Sequence, residues 1–299
     1  MIPTLATRME NLRARMAETG TDLVVIGPSS HMRYLADLSP HGDERPVMLM
    51  VSHSFAGFLM PALNVDSSRQ HTDLPFFAWA DADGPDAALE ELLNAMDIDR
   101  KAPSIVLDET MRADFALLVL DALPGAQRRF TQDTVGYLRS RKDADEYQAI
   151  KAAHLLNDRA VEAAFAALKP GMTEIEIAGL IDDFYLANGA ATVFCSVCFG
   201  PNGAFPHHHT GSTQLKPGDA VLIDTGCRLN GYPSDMTRVG YCGSAPEGFA
   251  EIHAIVDQAV EAALAAAIPG AKACDVDKAA RDVITKAGYG ANFLHRTGH

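Results

Sequence analysis

Two aspartates are the first residues in this sequence whose types and spacing could do chemistry together. Asp224 ends the apolar run at 221–223, and Asp235 lies in a second β-rich run after an Asn-Gly pair. Such a pattern predicts a β-hairpin. If the turn is centred on Leu229-Asn230, the two carboxylates lie directly opposite each other. If it is centred on Asn230-Gly231, they are diagonal neighbours, and in both registers they share one face.

Carboxylates that lie so close together destabilise a sheet unless a positive partner sits between them. A divalent metal ion is the obvious partner, but a pair of solvated acids on an exposed face remains an equal alternative at this point. Three histidines add further candidate groups: His207 before the hairpin, and His295 and His299 after it. Carboxylates with one imidazole suit manganese, cobalt, iron or zinc, and shared carboxylates suit two ions about 3.5–4 Å apart.

Composition limits the partners that this chain is expected to have. Its 299 residues are 47% hydrophobic and carry a formal net charge of −14. The length favours two domains, and the charge disfavours nucleic acid and anionic membranes as partners. Apolar runs as long as a membrane span, about 18–20 residues, do not occur. The five cysteines form an odd set without a framework spacing, so a reducing, cytoplasmic location is expected.

Residues 1–140 alternate between predicted helices and strands, which favours a sheet covered by helices. Helical spacing covers residues 5–19, 86–96 and 111–123, and β-rich runs cover residues 22–26, 47–51, 55–61, 76–80 and 104–107. The polar residues His31, Arg33 and Tyr34 are assigned to a loop after the first strand. Glycine-rich nucleotide-binding motifs do not occur in the sequence.

The rest of the chain contains an internal repeat. Two predicted helices, at about 143–168 and 173–188, precede a predicted strand at 192–199, and their pattern recurs 99 positions later. For example, Pro170-Gly171 corresponds to Pro269-Gly270. The C-terminal half is therefore predicted to contain two helix-helix-strand units related by a pseudo-twofold, with the hairpin between them. Chance matching of alanine-rich helices is the alternative.

Five motifs, in this order and at these spacings, resemble the metallopeptidases of the pita-bread fold. They are PHH at 206–208, LKPGD at 215–219, VLIDTG at 221–226, GYPSDMTR at 231–238 and HRTGH at 295–299. The resemblance is greatest to the proline-specific branch, the Xaa-Pro dipeptidases (prolidases) and aminopeptidase P. The run TDLVVIGPSSHMRYL at 21–35 resembles the start of the N-terminal domain of that branch.

The resemblance implies an α/β (α+β) fold with two domains. A creatinase/prolidase-like domain is expected at 1–140 and a pita-bread catalytic domain at 141–299. It also implies that Asp224 binds one metal ion, that Asp235 bridges both ions and that His299 binds the other. The ions would be two divalent cations, with Mn²⁺ expected and Co²⁺, Zn²⁺ or Fe²⁺ as alternatives.

The same resemblance implies catalytic roles for two further histidines. His207 matches the substrate-side histidine, and His295 matches the histidine that stabilises the tetrahedral intermediate. A hydroxide that bridges the two metal ions would attack the carbonyl of the bond before proline. The expected substrate is a proline-containing dipeptide or short peptide, and the expected assembly is a homodimer.

This sequence departs from the family pattern at its C-terminal side. The family continues with two glutamate ligands that have no counterpart in residues 1–299, so the pita-bread domain is expected to be truncated, with weak metal binding and little activity. Two other functions are open. One is an enzyme of the same fold that hydrolyses a non-peptide C–N substrate, as ectoine-hydrolase-like relatives do. The other is a non-catalytic binding protein, which the set of Asp224, Asp235 and His299 disfavours.

Overall fold

The computed structural model describes residues 5–298, and its N-terminal unit, Met1–Tyr147, is built on a six-stranded sheet. The strands are β1 (Leu23–Ile26), β2 (Met48–Val51), β3 (Ala56–Pro61), β4 (Phe76–Trp79), β5 (Ser104–Leu107) and β6 (Gln127–Phe130). The helices are α1 (Leu5–Thr19), α2 (Ser30–Ala36), α3 (Ala62–Ser68), α4 (Asp86–Ala95), α5 (Ala113–Ala122) and α6 (Val135–Ser140).

The sheet is mixed, and its strands β1, β2 and β3 are buried on both faces. Its order is β4-β3-β2-β1-β5-β6, with parallel pairing between β3 and β4 and from β1 through β5 to β6. Alternate residues of a strand point to opposite faces. Val24 and Ile26 therefore join the core that includes α1 and α2, while Leu23 and Val25 join the core that includes α4 and α5. The helix-covered sheet predicted from the sequence is confirmed.

The assignment of His31, Arg33 and Tyr34 to a loop is wrong, because all three lie in α2. The Ser29 side chain accepts a hydrogen bond from the backbone N–H of His31 and so caps the helix at its start. At the other end, Asp37 adopts a left-handed conformation with φ of 51° and closes the helix. Two caps thus stabilise a helix whose sequence is too short to show a clear apolar period.

The second unit, Gln148–His299, holds an antiparallel sheet. Its strands are β7 (Ala191–Phe199), β8 (Ala220–Leu229), β9 (Tyr232–Pro233) and β10 (Met236–Tyr241). Strand β8 is central and pairs with β7, β9 and β10. The helix α7 (Ala144–Ala167) leads into this unit, and α8 (Glu174–Ala187), α9 (Phe249–Ala266) and α10 (Ala273–Lys286) follow. Apolar residues of α7 and α8 share one core with β7 and β8.

The internal repeat is present in the helices. The helix α8 spans Glu174–Ala187 and α10 spans Ala273–Lys286, so their ends correspond at the 99-residue spacing. The expected second strand is absent, because the described residues after α10 form a short 3₁₀ turn, Gly290–Asn292, and an irregular segment. In the first copy β7 pairs along its length with β8. Within residues 5–298, the segment after α10 has no strand neighbour to supply such a ladder.

Candidate metal and catalytic site

A two-residue turn at Asn230-Gly231 sets the register of the hairpin. Both turn residues have positive φ, 49° for Asn230 and 88° for Gly231, as a type I′ turn requires. Leu229 pairs with Tyr232 directly across the turn. The second of the two registers derived from the sequence is therefore the observed one.

This register makes Asp224 and Asp235 diagonal neighbours on one face of the sheet. Asp224 pairs with Thr237, and the pairs on either side of Asp235 keep the same register, which puts Asp235 opposite Gly226. A β-carbon on Gly226 would lie 2.1 Å from the backbone oxygen of Ser234, so the strands approach here only because residue 226 is glycine. The two carboxylates thus lie within reach of a shared cation.

A buried polar network anchors β8 directly beside Asp224. The amide of Asn157, on α7, donates to the backbone oxygen of Thr225 at 2.8 Å. The hydroxyl of Tyr185, on α8, donates to the Asn157 side-chain oxygen at 2.5 Å. Asn157, Tyr185 and Thr225 are all completely buried. Because Asn157 links α7 to the strand and Tyr185 contacts both Asn157 and the Thr225 hydroxyl, the network fixes the position of Asp224 along the sheet.

The electrostatics of Asp224 fit a group that needs a cation. Burial is the main cause that raises the pKa of its carboxyl, and the neighbouring charge of Asp235 raises it further. A hydrogen bond from the Thr237 hydroxyl, at 2.7 Å, opposes this effect. Within residues 5–298, no Lys, Arg or His nitrogen lies close enough to Asp224 to form an ion pair. A divalent ion would remove the repulsion that these two carboxylates share.

His207 is exposed on the segment that joins β7 to β8. Its neighbour His208 donates from Nε2 to Glu174 at 2.9 Å, and the Glu174 side chain is completely buried. Burial alone would raise the pKa of Glu174, but hydrogen bonds from Asn202, His208 and two backbone amides outweigh it and lower the pKa. Glu174 was not among the predicted site residues, because its only signal in the sequence is an acid in the first turn of a predicted helix.

His295 is also exposed, and its loop is held by an ion pair on α10. Arg281 forms a two-point contact with Asp277 and donates to the backbone oxygens of Phe293 and His295. The bond from Arg281 is the main reason that the pKa of Asp277 falls to about 2. The Nδ1 of His295 donates to the Arg296 oxygen at 2.9 Å.

The structure brings Asp224 and Asp235 together but adds no third ligand to them among the described residues. Neither His207 nor His295 joins the pair in a set of ligand atoms that all lie within 4.8 Å of one another. The third predicted ligand, His299, lies outside the described residues.

Residues 5–298 contain one set of three potential ligands that sequence analysis did not identify. His31, Asp108 and Glu109 have ligand atoms within 4.8 Å of one another in the N-terminal unit. An Arg139 nitrogen lies 2.9 Å from Nδ1 of His31, and the Ser29 hydroxyl donates to Asp108 at 2.5 Å. Burial first, and then the charge of Arg139, lower the pKa of His31. Because the guanidinium of Arg139 already supplies a positive charge beside these three residues, we interpret them as a structural network.

Two family models match the chain in succession. The model described as Creatinase/Prolidase N-terminal domain matches residues 8–129, and the model described as Metallopeptidase family M24 matches residues 148–299. The second match covers the hairpin, the histidine segment before it and the loop after α10. The mixed α/β fold with a creatinase-like first domain and a pita-bread second domain, expected from the motifs, is confirmed.

Whole-chain relatives are similar in both sequence and structure. The probable dipeptidase PepE of Mycobacterium tuberculosis is 31% identical over 98% of this chain and 79% of its own length. The Xaa-Pro dipeptidase of Lactobacillus helveticus is 30% identical over 97% of this chain and 80% of its own length. A crystal structure of recombinant prolidase from Thermococcus sibiricus matches 98% of this chain and 81% of that chain, with a TM-score of 0.90 and 28% identity.

Proposed function

We propose that this chain, which belongs to metallopeptidase family M24, hydrolyses the peptide bond that precedes proline in dipeptides or short peptides. The observation that carries this proposal is the register of the hairpin, which makes Asp224 and Asp235 diagonal neighbours on one face. Relatives named Xaa-Pro dipeptidase and prolidase support the substrate class. The enzyme itself is a metal-dependent peptidase, as its family is.

The acidic pair fits the divalent metal ions that the family implies. Asp224 and Asp235 supply oxygen ligands, and the raised pKa of Asp224 indicates a negative charge that the described residues leave poorly compensated. We propose that these two residues and His299 hold two ions, with Mn²⁺ as the first choice. When bound, such ions lower the pKa of water and polarise a peptide carbonyl.

The roles proposed for the remaining groups come from the family resemblance. His207, exposed before the hairpin, is proposed to contact the substrate. His295 is proposed to donate a hydrogen bond to the oxyanion that develops on the scissile carbonyl. The ion pair of Asp277 and Arg281 holds the loop on which His295 lies.

Further observations support the proposed domain limits, location and assembly. We propose domains at 1–140 and 141–299, and the successive matches of the two family models, at 8–129 and 148–299, support a boundary between them. Five free thiols support a reducing, cytoplasmic location, and the family resemblance supports a homodimer. Among residues 5–298, no helix combines the length and the apolar character that crossing a membrane requires.

Metal analysis followed by an assay on matched dipeptides tests the function. The protein, as its gene encodes it, is loaded with Mn²⁺ and offered Ala-Pro and Leu-Pro, with Ala-Ala and Leu-Ala as controls. The two peptides of each pair differ only in their second residue, proline or alanine. We expect at least tenfold higher kcat/KM for the proline dipeptides, because only they fill a pocket that fits the proline ring. An Ala-Pro-Ala tripeptide reports whether longer peptides are accepted.

Other outcomes point to other functions. A protein that binds no divalent metal would contradict the peptidase proposal. A protein that binds metal but cleaves none of these peptides would favour a non-peptide C–N substrate. The variant Asp235→Asn should lose both metal and activity, whereas Asp257→Asn, which changes an exposed acid on α9, should retain both.

A further inference from the structure

One buried carboxylate contacts the His207 segment at four points. The segment runs from the end of β7 to the residues that lie beside the start of α8. Glu174 Oε1 accepts from the backbone N–H of Phe199 at 2.9 Å and from the Asn202 amide at 2.8 Å. Its Oε2 accepts from His208 Nε2 and from the backbone N–H of Gly211, both at 2.9 Å. The two ends of the segment and two interior residues are therefore tied to a single side chain.

The position of Glu174 makes it a rigid support. It is the first residue of α8, where the positive end of the helix dipole favours an anion. The capping box formed by Thr173 and Glu176 fixes this helix start. Further along α8, Ile177 and Ile181 are completely buried in the core. The side chain of Glu174 is itself completely buried, so solvent cannot replace its four donors.

Only an ionised carboxylate satisfies this arrangement. Four N–H donors point at its two oxygens, and a carboxylate is a pure acceptor with capacity for all of them. A glutamine at this position would offer one acceptor oxygen, and its amide group would point two donors at two other donors. The charge of Glu174 is therefore part of the structure of the segment.

We propose that Glu174 is a positioning residue that fixes the segment carrying His207. His208 transmits this constraint, because it is bonded to Glu174 and is adjacent to His207 in the chain. A further bond from the Ser196 hydroxyl to the His208 backbone oxygen, at 3.3 Å, ties the same residue to β7. This inference rests on the proposed function in one respect, which is that His207 contacts the substrate.

The variant Glu174→Gln tests the proposal, and Glu176→Gln is its matched control. Glu176 lies two residues away in the same helical turn. Within residues 5–298 its side chain is hydrogen-bonded only to Thr173, and a glutamine there can keep the capping geometry. Amide hydrogen exchange is measured on the metal-free protein, so this readout does not depend on activity. We expect exchange in the peptide 199–211 to rise on the order of tenfold in Glu174→Gln and to stay unchanged in Glu176→Gln.

Steady-state kinetics of single and double variants test whether Glu174 acts through His207. For Glu174→Gln we expect KM for Ala-Pro to rise on the order of tenfold, with kcat per folded molecule retained. The double variant Glu174→Gln/His207→Ala should be no worse than His207→Ala alone. Effects that multiply in the double variant would overturn the proposal, as would unchanged exchange in the peptide 199–211.

A second pair of variants covers the case in which Glu174→Gln does not fold. His208→Ala removes one of the four ties, while His208→Gln keeps an N–H donor, so only the first should increase exchange in the segment. Equal exchange in the two variants would contradict the proposed link. If wild-type protein cleaves no Xaa-Pro peptide, the proposed function fails, and the exchange measurements still decide whether Glu174 holds the segment.

Discussion

Carboxylates come together at two places in this protein, at Asp108 and Glu109 in the N-terminal unit and at Asp224 and Asp235 in the C-terminal unit. In the first place the side chains of Ser29, Thr110 and Thr131 donate to the carboxylate oxygens. The guanidinium of Arg139 contacts His31 beside them, and its charge interacts with both acids. In the second place, Thr237 donates to Asp224, and burial and Asp235 raise its pKa.

The difference between the two places concerns the source of the positive charge. In the N-terminal network the acids accept hydrogen bonds from three hydroxyl groups, and the charge of Arg139 acts on both of them. The hairpin pair is held in position by its register and by the buried network around Thr225. A cluster of potential ligands is thus a poor guide to a metal site unless the cations within the protein are counted as well.

The largest expected effect is a loss of bound metal when an acid of the hairpin pair is replaced, but not when an acid of the N-terminal network is replaced. Asp235→Asn should remove metal binding and lower kcat/KM roughly a thousandfold, because it deletes the ligand proposed to be shared. Asp108→Asn should leave metal content unchanged. Elemental analysis after dialysis, together with the Ala-Pro assay, measures both. Equal loss of metal in the two variants would remove the distinction between the sites.

The free energy of unfolding of the metal-free protein tests whether the charge of Asp224 is unfavourable without a cation. Because the pKa of Asp224 is raised in the folded protein, its charged form is disfavoured there, and stability falls as pH rises through that pKa. Asp224→Asn should therefore increase the free energy of unfolding of the metal-free protein at pH 7. The gain should vanish at low pH, where wild-type Asp224 is protonated.

The second effect is a loss of stability in the N-terminal unit. Arg139→Met removes the donor to the buried His31 and the cation beside Asp108, and we expect it to cost about 2 kcal/mol. Urea unfolding measures the change. Arg128→Met, an exposed residue on β6, is the control and should change stability little. Metal content should not respond to either substitution.

A third, smaller effect concerns the hydrogen bond from Thr237 to Asp224. Thr237→Val keeps the shape of the side chain but removes the donor, so we expect metal affinity to fall about tenfold. Competition with a metallochromic chelator measures the affinity. Thr192→Val, which removes a hydroxyl bonded to Asp182 at the start of β7, is the matched control. An unchanged affinity in Thr237→Val would show that this bond does not tune the ligand.

The smallest effect is a pH dependence of the N-terminal network. The pKa of His31 is lowered by burial and then by Arg139, so its neutral form is favoured in the folded protein. Stability from this group is present above the unfolded value of about 6.5 and is lost as pH falls through the lower, folded value. His31→Asn, which keeps an acceptor for Arg139, should flatten this dependence below pH 6.5. His53→Asn, an exposed control, should not.

Sequence patterns predicted the helix α1 and the strands β1, β5 and β7 from their apolar residues, and the helices α7 and α8 from the residues at their starts. The short helix α2 was missed because its stability comes from caps at Ser29 and Asp37 rather than from a periodic face. The expected second strand of the repeat failed for another reason, since a strand depends on a partner that local sequence does not specify.

The candidate site was predictable only in part. The two acids and their common face followed from the Asn-Gly turn, but the choice between two registers required the backbone. The supporting residues Asn157, Tyr185 and Glu174 are distant in sequence from the acids and from His207. Burial and pairing, which a single sequence does not display, distinguish them from ordinary polar helix residues.

The turn at Asn230-Gly231 also determines which changes in chain length the enzyme can tolerate. Successive residues of a strand alternate between faces, so inserting or deleting one residue between Asp224 and Asp235 would send one acid to the far side of the sheet. Both acids would remain in the sequence, and a search by residue type would still find them. Among homologues that conserve both acids, we therefore expect the number of residues between them to identify those that have kept the proposed metal centre.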